Sequence, residues 1–321
     1  MQHKVWRKRV VLPLLSGLSV VLCFLAEPAL AQGQARLLDR VSPAAAQTLS
    51  PALDAQREAA RLATLADIPD PETNPVWQRL KSTYFAHQPV QMATDDLLQL
   101  EIPGRAEDGA TVPVAIRTGP ASAPGRQVDK LYLIVDKNPS PLAAEFSFYP
   151  LSGRAEIETR IRVEDYSHVR AVAVLHDGSQ YMALKYVKAS GGCSAPPGRD
   201  EAKAKANLGK IRFTLPHGVQ PGHATLAQLA VSHPNESGLA IDQATRLYPK
   251  SYYVRTVKVS YGGAPVLSAD VDFSISENPH FRFYFVPGQG GSLEATVVDT
   301  QDKVFRSSLD VSALSSKPTR P

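Results

Sequence analysis

The residue type best suited to covalent chemistry in this sequence is a cysteine within a glycine-rich stretch. Cys193 follows Gly191 and Gly192, and residues 194–197 (Ser-Ala-Pro-Pro) come directly after it. Small residues and prolines in this order do not support a strand, so we expect a loop. A thiol becomes a nucleophile when it ionises in an accessible place. We therefore predict that Cys193 is an exposed, reactive thiol near the middle of a flexible linker of about eleven residues.

Basic side chains surround this cysteine in the sequence. They outnumber the acidic Asp200 and Glu201, and they are Lys185, Lys188, Arg199, Lys203 and Lys205. Positive charge close to a thiol favours the thiolate and attracts small anions, which is consistent with a reactive cysteine. Lysines are also common on any solvated linker, and the lysines alone favour that simpler interpretation. The cysteine between glycines and prolines is the stronger signal.

Other residue types that perform chemistry show no organised spacing. His217 and His223 lie in a turn-rich loop without a second pair of ligands near them in sequence, so we expect no metal site there. Serine, histidine and aspartate all occur, yet no spacing groups them into a nucleophile, a base and an orienting acid. We expect His233 to form a hydrogen bond within a loop.

The first 31 residues have the order of a secretory signal peptide. Four basic residues lie within the first nine, a mostly apolar stretch follows over residues 10–26, and Ala29 and Ala31 form an Ala-x-Ala cleavage pattern. The apolar stretch is slightly shorter than the roughly 20 residues that span a membrane. We therefore expect cleavage after Ala31 and an exported protein with no membrane segment left.

Cleavage of this segment changes both the charge and the cysteine count. The whole chain has 35 Lys and Arg, 31 Asp and Glu, and two cysteines. Removing four bases, one acid and Cys23 leaves 31 bases and 30 acids, a net charge of +1, and one cysteine. So small a charge gives no reason to expect nucleic-acid binding. With no intrachain partner, Cys193 is a free thiol, an intermolecular disulfide or a modified side chain.

Hydrophobic periodicity predicts an all-β protein after a short helical segment. Ser50 and Pro51 start a predicted helix that continues to residue 62, and a second short helix covers residues 75–85. From about residue 97 the apolar residues alternate with a period of two. Asp177-Gly178 indicates a tight hairpin, and several short strands recur at roughly ten-residue spacing. This spacing is typical of β-sandwiches.

The same patterns divide the chain into successive segments. Two sandwiches are separated by a linker that carries the cysteine and a short helix over residues 201–208. The full predicted order is a signal peptide (1–31), a helical or irregular N-terminal segment (32–90), a first β-sandwich (91–188), the linker (189–210), a second β-sandwich (211–312) and a disordered tail (313–321).

Short motifs in both sandwiches resemble known carrier subunits. The first sandwich resembles SoxY, the sulfur-oxidation carrier subunit, through residues 107–114, 137–141 and 160–163 and through the Gly191-Gly192-Cys193 end. The second sandwich is similar to SoxZ through residues 232–239, 266–272 and 275–281. Each motif is short, but their order across two modules is specific. The resemblance covers roughly residues 75–311, and the chain resembles a fused SoxY–SoxZ carrier.

This resemblance implies a periplasmic carrier built from two immunoglobulin-like β-sandwiches in tandem. It implies that Cys193 is loaded covalently with a sulfur intermediate, as in thiosulfate oxidation, and that Gly191 and Gly192 form its flexible arm. The implied partners are Sox-type or related periplasmic redox enzymes, and the implied cargo is a small sulfur oxyanion. A fused SoxY–SoxZ chain also resembles carriers associated with a quinoprotein dehydrogenase. No cofactor, no metal and no catalytic residue is implied, because a carrier turns nothing over alone.

Two alternatives remain open for Cys193. In the first alternative, the chain is a non-catalytic accessory protein for a periplasmic quinoprotein dehydrogenase, and its cysteine is not loaded. In the second it is an independent thiol enzyme such as a peroxidase. The second ranks last, because neither a resolving cysteine nor a base is recognisable near Cys193.

Overall fold

The computed structural model describes residues 68–119, 127–196, 201–242 and 245–312. The predicted signal peptide, the predicted helix over residues 51–62 and the predicted tail lie outside these ranges. Within them, no helix is long and apolar enough to cross a lipid bilayer. All the described residues after Ile68 belong to one compact unit.

Two short α-helices accompany the strands. Helix α1 (Pro75–Tyr84) begins where predicted, because the Asn74 side chain accepts hydrogen bonds from the Val76 and Trp77 amides and Pro75 occupies the first helical position. Helix α2 (Glu201–Asn207) follows the cysteine segment, as predicted. Single 3-10 turns lie at Pro71–Thr73 and Pro150–Ser152.

The described residues contain fifteen strands. They are β1 Val90–Met92, β2 Leu98–Glu101, β3 Val112–Thr118, β4 Val128–Val135, β5 Leu142–Phe148, β6 Ile157–Ile161, β7 Ser167–Leu175, β8 Gln180–Val187, β9 Ile211–Thr214, β10 Thr225–Val231, β11 Val254–Tyr261, β12 Ala264–Val271, β13 His280–Phe285, β14 Ser292–Asp299 and β15 Val304–Asp310. The tight turn predicted at Asp177-Gly178 joins β7 to β8, with Gly178 at φ +84°.

The strands form two sheets, and both sheets cross from the first module to the second. The larger sheet has the order β1-β8-β7-β4-β5-β12-β11-β14-β15, and the smaller has β2-β3-β6-β13-β10-β9. At the junction β5 pairs with β12, and β6 pairs with β13, both antiparallel. The predicted all-β class with immunoglobulin-like sandwiches is confirmed. The structure adds that paired strands, and not only the linker, join the two modules.

Alternation along the strands explains the packing between the sheets. In β13 the three phenylalanines at positions 281, 283 and 285 are buried, whereas Arg282 and Tyr284 point outward. Strands β4 and β7 do not alternate in this way, and they contain continuous apolar stretches at residues 131–135 and 171–175. One face of these strands lies in the core, and the other lies beneath Trp77 and Phe85 from the α1 region. Strands covered on both faces have no solvent side that requires polar residues.

Candidate functional site

Cys193 lies in a turn that follows strand β8, and its side chain is buried, with 1% of the residue exposed. It forms no disulfide. Two backbone hydrogen bonds dock the preceding residues, from the Gly191 amide to the Glu164 carbonyl (2.8 Å) and from the Gly192 amide to the Val163 carbonyl (3.1 Å). The prediction of an exposed thiol on a flexible linker is therefore wrong for this conformation, because these contacts hold the linker against the first module.

The two glycines allow this docking through different properties. A Cβ atom on Gly192 would lie 2.0 Å from the carbonyl oxygen of Gly109, so no larger residue fits between the two chain segments. Gly191 has φ +72° but open space around its Cα atom, so it meets a conformational need and not a steric one. Gly191 and Gly192 were predicted to form a flexible arm. In this structure they instead permit close packing and a left-handed turn.

One carboxylate holds the cysteine segment by three hydrogen bonds. Glu164 Oε2 accepts from the Cys193 amide (2.7 Å) and from the Ser194 amide (3.1 Å). The other oxygen, Oε1, accepts from the Ser194 hydroxyl (2.8 Å). Hydrogen bonds to an ionised acceptor are about twice as strong as neutral ones. The Glu164 side chain is therefore the main polar contact of the segment.

A buried asparagine positions Glu164. The Asn138 side-chain oxygen accepts from the Glu164 amide (2.9 Å), and its nitrogen donates to the Arg162 carbonyl (2.8 Å) and to the Ser274 hydroxyl (2.9 Å). The Ser274 hydroxyl in turn donates to the Ser140 carbonyl (2.8 Å). Because Ser274 follows β12 in the second module, this network ties both modules to the loop that carries Glu164.

The second module also contacts the cysteine segment directly. The Ser237 hydroxyl donates to the Cys193 carbonyl. The side chain of Asn235, two residues earlier, donates to the Ile275 carbonyl (3.1 Å) and accepts from the Val254 amide (2.9 Å). Arg162 crosses in the other direction and donates to the carbonyls of Phe273 (2.7 Å) and Ile275 (2.9 Å). Cys193 therefore lies at the junction of the two modules.

Family models match both modules. The model described as "Sulfur oxidation protein SoxY" matches residues 82–193, and the model described as "Sulphur oxidation protein SoxZ" matches residues 211–310. Together they cover most of the chain, in tandem. The chain belongs to the SoxY–SoxZ family. Its SoxY domain ends at Cys193, and its SoxZ domain supplies Ser237 and Ser274 to the junction.

The solved structures that are similar to this chain include a sulfur carrier protein. SoxY from Chlorobium limicola f thiosulfatophilum is 28% identical over 35% of this chain and 94% of its own, with a TM-score of 0.30. A superoxide reductase (neelaredoxin) from Ignicoccus hospitalis is 15% identical over 29% of this chain and 79% of its own, with a TM-score of 0.25. The comparison with curated proteins found no match.

The surroundings of the thiol in this SoxY–SoxZ chain disfavour ionisation. Burial, and secondly the negative charge of Glu164, raise the pKa of Cys193 to about 12. Asp272 raises this pKa further, and only Arg162 acts to lower it. The expectation that nearby lysines favour the thiolate is therefore wrong in the docked conformation, because burial and then the carboxylates Glu164 and Asp272 raise the pKa of the thiol more than Arg162 lowers it.

Three candidate histidines, His217, His223 and His233, lie in the second module. His217 and His223 are exposed in a loop, and the described ranges contain no group of three or more His, Cys, Asp or Glu side chains that could hold a metal ion. His233 is buried, and its Nδ1 accepts a hydrogen bond from the Asn235 amide (3.1 Å), as predicted for a loop contact. It therefore shapes the SoxZ loop that leads to Ser237.

Sequence reasoning found the cysteine but not the groups that hold it. Asn138, Arg162 and Ser237 lie within the motifs that resemble SoxY and SoxZ, so the motifs marked their neighbourhood without assigning them a role. Glu164 follows the motif at residues 160–163 and is adjacent to Asp165. No sequence pattern distinguishes these two acids. In the structure only Glu164 contacts the cysteine segment, whereas Asp165 pairs with Lys137 (2.9 Å).

Proposed function

We propose that this protein is exported to the periplasm and serves there as a carrier that holds a sulfur intermediate covalently on Cys193. The observation that carries the proposal is the position of Cys193 at the end of a SoxY domain, against the SoxZ domain. The described residues contain no other cysteine. A carrier needs one attachment atom and no catalytic group of its own, and the site has that composition.

Loading is an oxidative step that requires a partner. The Sγ atom of Cys193 forms a bond with the terminal sulfur of a thiosulfate-like oxyanion, and the thiol loses its proton. Two electrons leave with this step, and a partner redox enzyme accepts them. The product is a disulfide-type bond between Cys193 and the cargo, which a second thiol or a reductant can cleave.

The cysteine segment must leave its docked position before this step. In the docked turn the sulfur is buried and its pKa is raised to about 12, so the thiol is both inaccessible and protonated near neutral pH. Once the segment is released, the thiol is solvated and its ordinary pKa is about 8.5. The partners are Sox-type or related periplasmic redox enzymes, and the small sulfur oxyanion is the cargo.

A second candidate function is a non-catalytic accessory protein for a periplasmic quinoprotein dehydrogenase. The specific observation in its favour is the burial of Cys193, since an inert thiol is what a structural cysteine provides. Under this alternative the two domains dock the dehydrogenase, and the cysteine carries no cargo.

Intact mass of the native exported protein tests the carrier proposal. We expect adducts on Cys193 that a reductant removes, and no adduct on a Cys193→Ala variant purified in the same way. An unmodified thiol under loading conditions, with the partner enzymes present, would count against the carrier. If Cys193→Ala then also retained full pull-down and dehydrogenase activity, the accessory function would be favoured.

A further inference from the structure

The acid that holds the cysteine segment lacks a cation of its own. Glu164 is half-buried and forms no ion pair with any described residue, whereas the adjacent Asp165 is paired with Lys137. The Glu164 carboxylate therefore depends on the amides of Cys193 and Ser194 and on the Ser194 hydroxyl for its hydrogen bonds. Because these donors all belong to one short segment, the hydrogen bonds of the carboxylate stabilise the docked position of that segment.

The anchoring of the chain before the cysteine defines the part that can move. The Lys188 amide donates to the Gly104 carbonyl (2.9 Å), and the Lys188 carbonyl accepts from the Ala106 amide (3.1 Å). These hydrogen bonds therefore fix the end of strand β8 in place. After this anchor, the contacts described above through Gly191, Gly192 and Glu164 hold the segment in place. Opening can begin after Lys188 without separating any pair of strands.

From this arrangement we propose that Glu164 is a latch, a positioning residue that holds Cys193 in the buried position and controls access to its sulfur. The inference deepens the carrier function and rests on it for its biological meaning. Release exchanges three protein hydrogen bonds of Glu164 for water, or for donors of a docking partner. The same carboxylate also raises the pKa of the docked thiol, so release makes the sulfur accessible and lowers its pKa together.

Three variants test the latch in the full chain. Glu164→Gln keeps the size of the side chain but removes its charge. Ser194→Ala removes one of the three hydrogen bonds, and it changes neither the charge near the sulfur nor a buried residue. Asp165→Asn is the matched control, because this acid lies on the same loop and does not contact the cysteine segment. Urea titration confirms that each variant is folded.

Two measurements separate opening of the segment from a change in the thiol pKa. Hydrogen–deuterium exchange at the Cys193 and Ser194 amides reports opening alone, and alkylation by iodoacetamide reports reaction of the thiol. We expect both rates to rise about ten- to a hundredfold in Glu164→Gln, as expected for lost hydrogen bonds to a charged group. We expect a smaller rise, of a few-fold, in Ser194→Ala and no change in Asp165→Asn.

Unchanged amide protection in Glu164→Gln would overturn the latch, because the glycine and Ser237 contacts would then be sufficient to hold the segment. A rise in alkylation without a rise in amide exchange would overturn it as well, since Glu164 would then act only through the pKa. Neither result depends on cargo. Failure of the carrier function is detected separately, as an intact mass of the native protein that shows no adduct on Cys193.

Discussion

Two buried polar clusters in this molecule differ in what they hold. Beneath helix α1, Arg170 is fully buried and forms two hydrogen bonds of 2.8 and 2.7 Å with Asp136, which is 1% exposed. Arg170 also donates to the Pro71 carbonyl (2.7 Å) and stacks over Trp77, 4.4 Å from the ring centroid. At the domain junction, Glu164 is only half-buried and binds backbone amides and a hydroxyl of one loop.

This difference indicates which of the two clusters can break its contacts reversibly. Separating Asp136 from Arg170 would leave the buried Asp136 carboxylate without its cation, and Arg170 with only Glu72 at 3.9 Å, a state that costs several kcal/mol. Releasing the loop from Glu164 returns that carboxylate to water, which replaces its hydrogen bonds at much smaller cost. The first cluster is therefore a permanent part of the core, whereas the second is suited to a reversible contact.

The largest expected effect concerns the permanent cluster. Asp136→Ala leaves the buried Arg170 guanidinium with only the half-exposed Glu72 carboxylate, 3.9 Å away, and we expect a loss of about 3 kcal/mol in the free energy of unfolding. Urea denaturation measures it. Asp129→Ala is the control, because Asp129 and its partner His176 are exposed, and a change within about 0.5 kcal/mol is expected. Similar losses in both variants would remove the distinction between the two clusters.

Next in size is the steric requirement at the cysteine segment. Gly192→Ala places a methyl group against the Gly109 carbonyl, so we expect the segment to leave its docked position and alkylation of Cys193 to accelerate at least tenfold. Gly191→Ala is the matched control. Its added Cβ meets no atom within 4 Å, and strain at φ +72° should cost only about 1 kcal/mol. Equal acceleration in both variants would contradict the role assigned to the close approach.

A smaller effect is expected at the residue that joins the two domains. Asn138→Ala removes three hydrogen bonds of a buried side chain, those with the Glu164 amide, the Arg162 carbonyl and the Ser274 hydroxyl. We expect a loss of about 1–3 kcal/mol in the free energy of unfolding. Amide exchange at Cys193 should rise with it, because the loop that carries Glu164 loses its support. A destabilised variant with unchanged exchange at Cys193 would show that Glu164 keeps its place without Asn138.

A change of pH, which leaves the sequence and its contacts unaltered, should also change the reactivity of Cys193. Since the docked thiol has its pKa raised to about 12, alkylation should rise about tenfold per pH unit from pH 7 to 10 without reaching a plateau. The unfolded chain ionises nearer the ordinary thiol pKa, so the contribution of the neutral thiol to stability is complete below that value. It is lost as pH rises towards 12. Comparison with Cys193→Ala by denaturation at pH 7 and 10 isolates this contribution, and a plateau in alkylation near pH 8.5 would mean that the thiol is solvated.

Local patterns predicted the local structure well. The helix that starts at Pro75, the hairpin at Gly178 and the alternation in β13 involve residues close together in sequence, and each appears where predicted. The steric requirement at Gly192 was not predicted, and its role in a flexible arm stays a prediction. Position 192 must be glycine because the carbonyl oxygen of Gly109, 83 positions away in the sequence, leaves no room for a Cβ atom. Hydrophobic periodicity contains no information about such a distant neighbour.

The amino-acid sequence by itself determined the strands, the family motifs and the identity of Cys193 as the one sulfur nucleophile left after the predicted cleavage. Only the tertiary structure decided whether that sulfur is exposed, which acid lies beside it and how the two domains join. The physical reason is the range of the interactions. Strand alternation acts over two residues, whereas the contacts of Glu164 with Cys193 span 29 positions and those of Asn138 with Ser274 span 136.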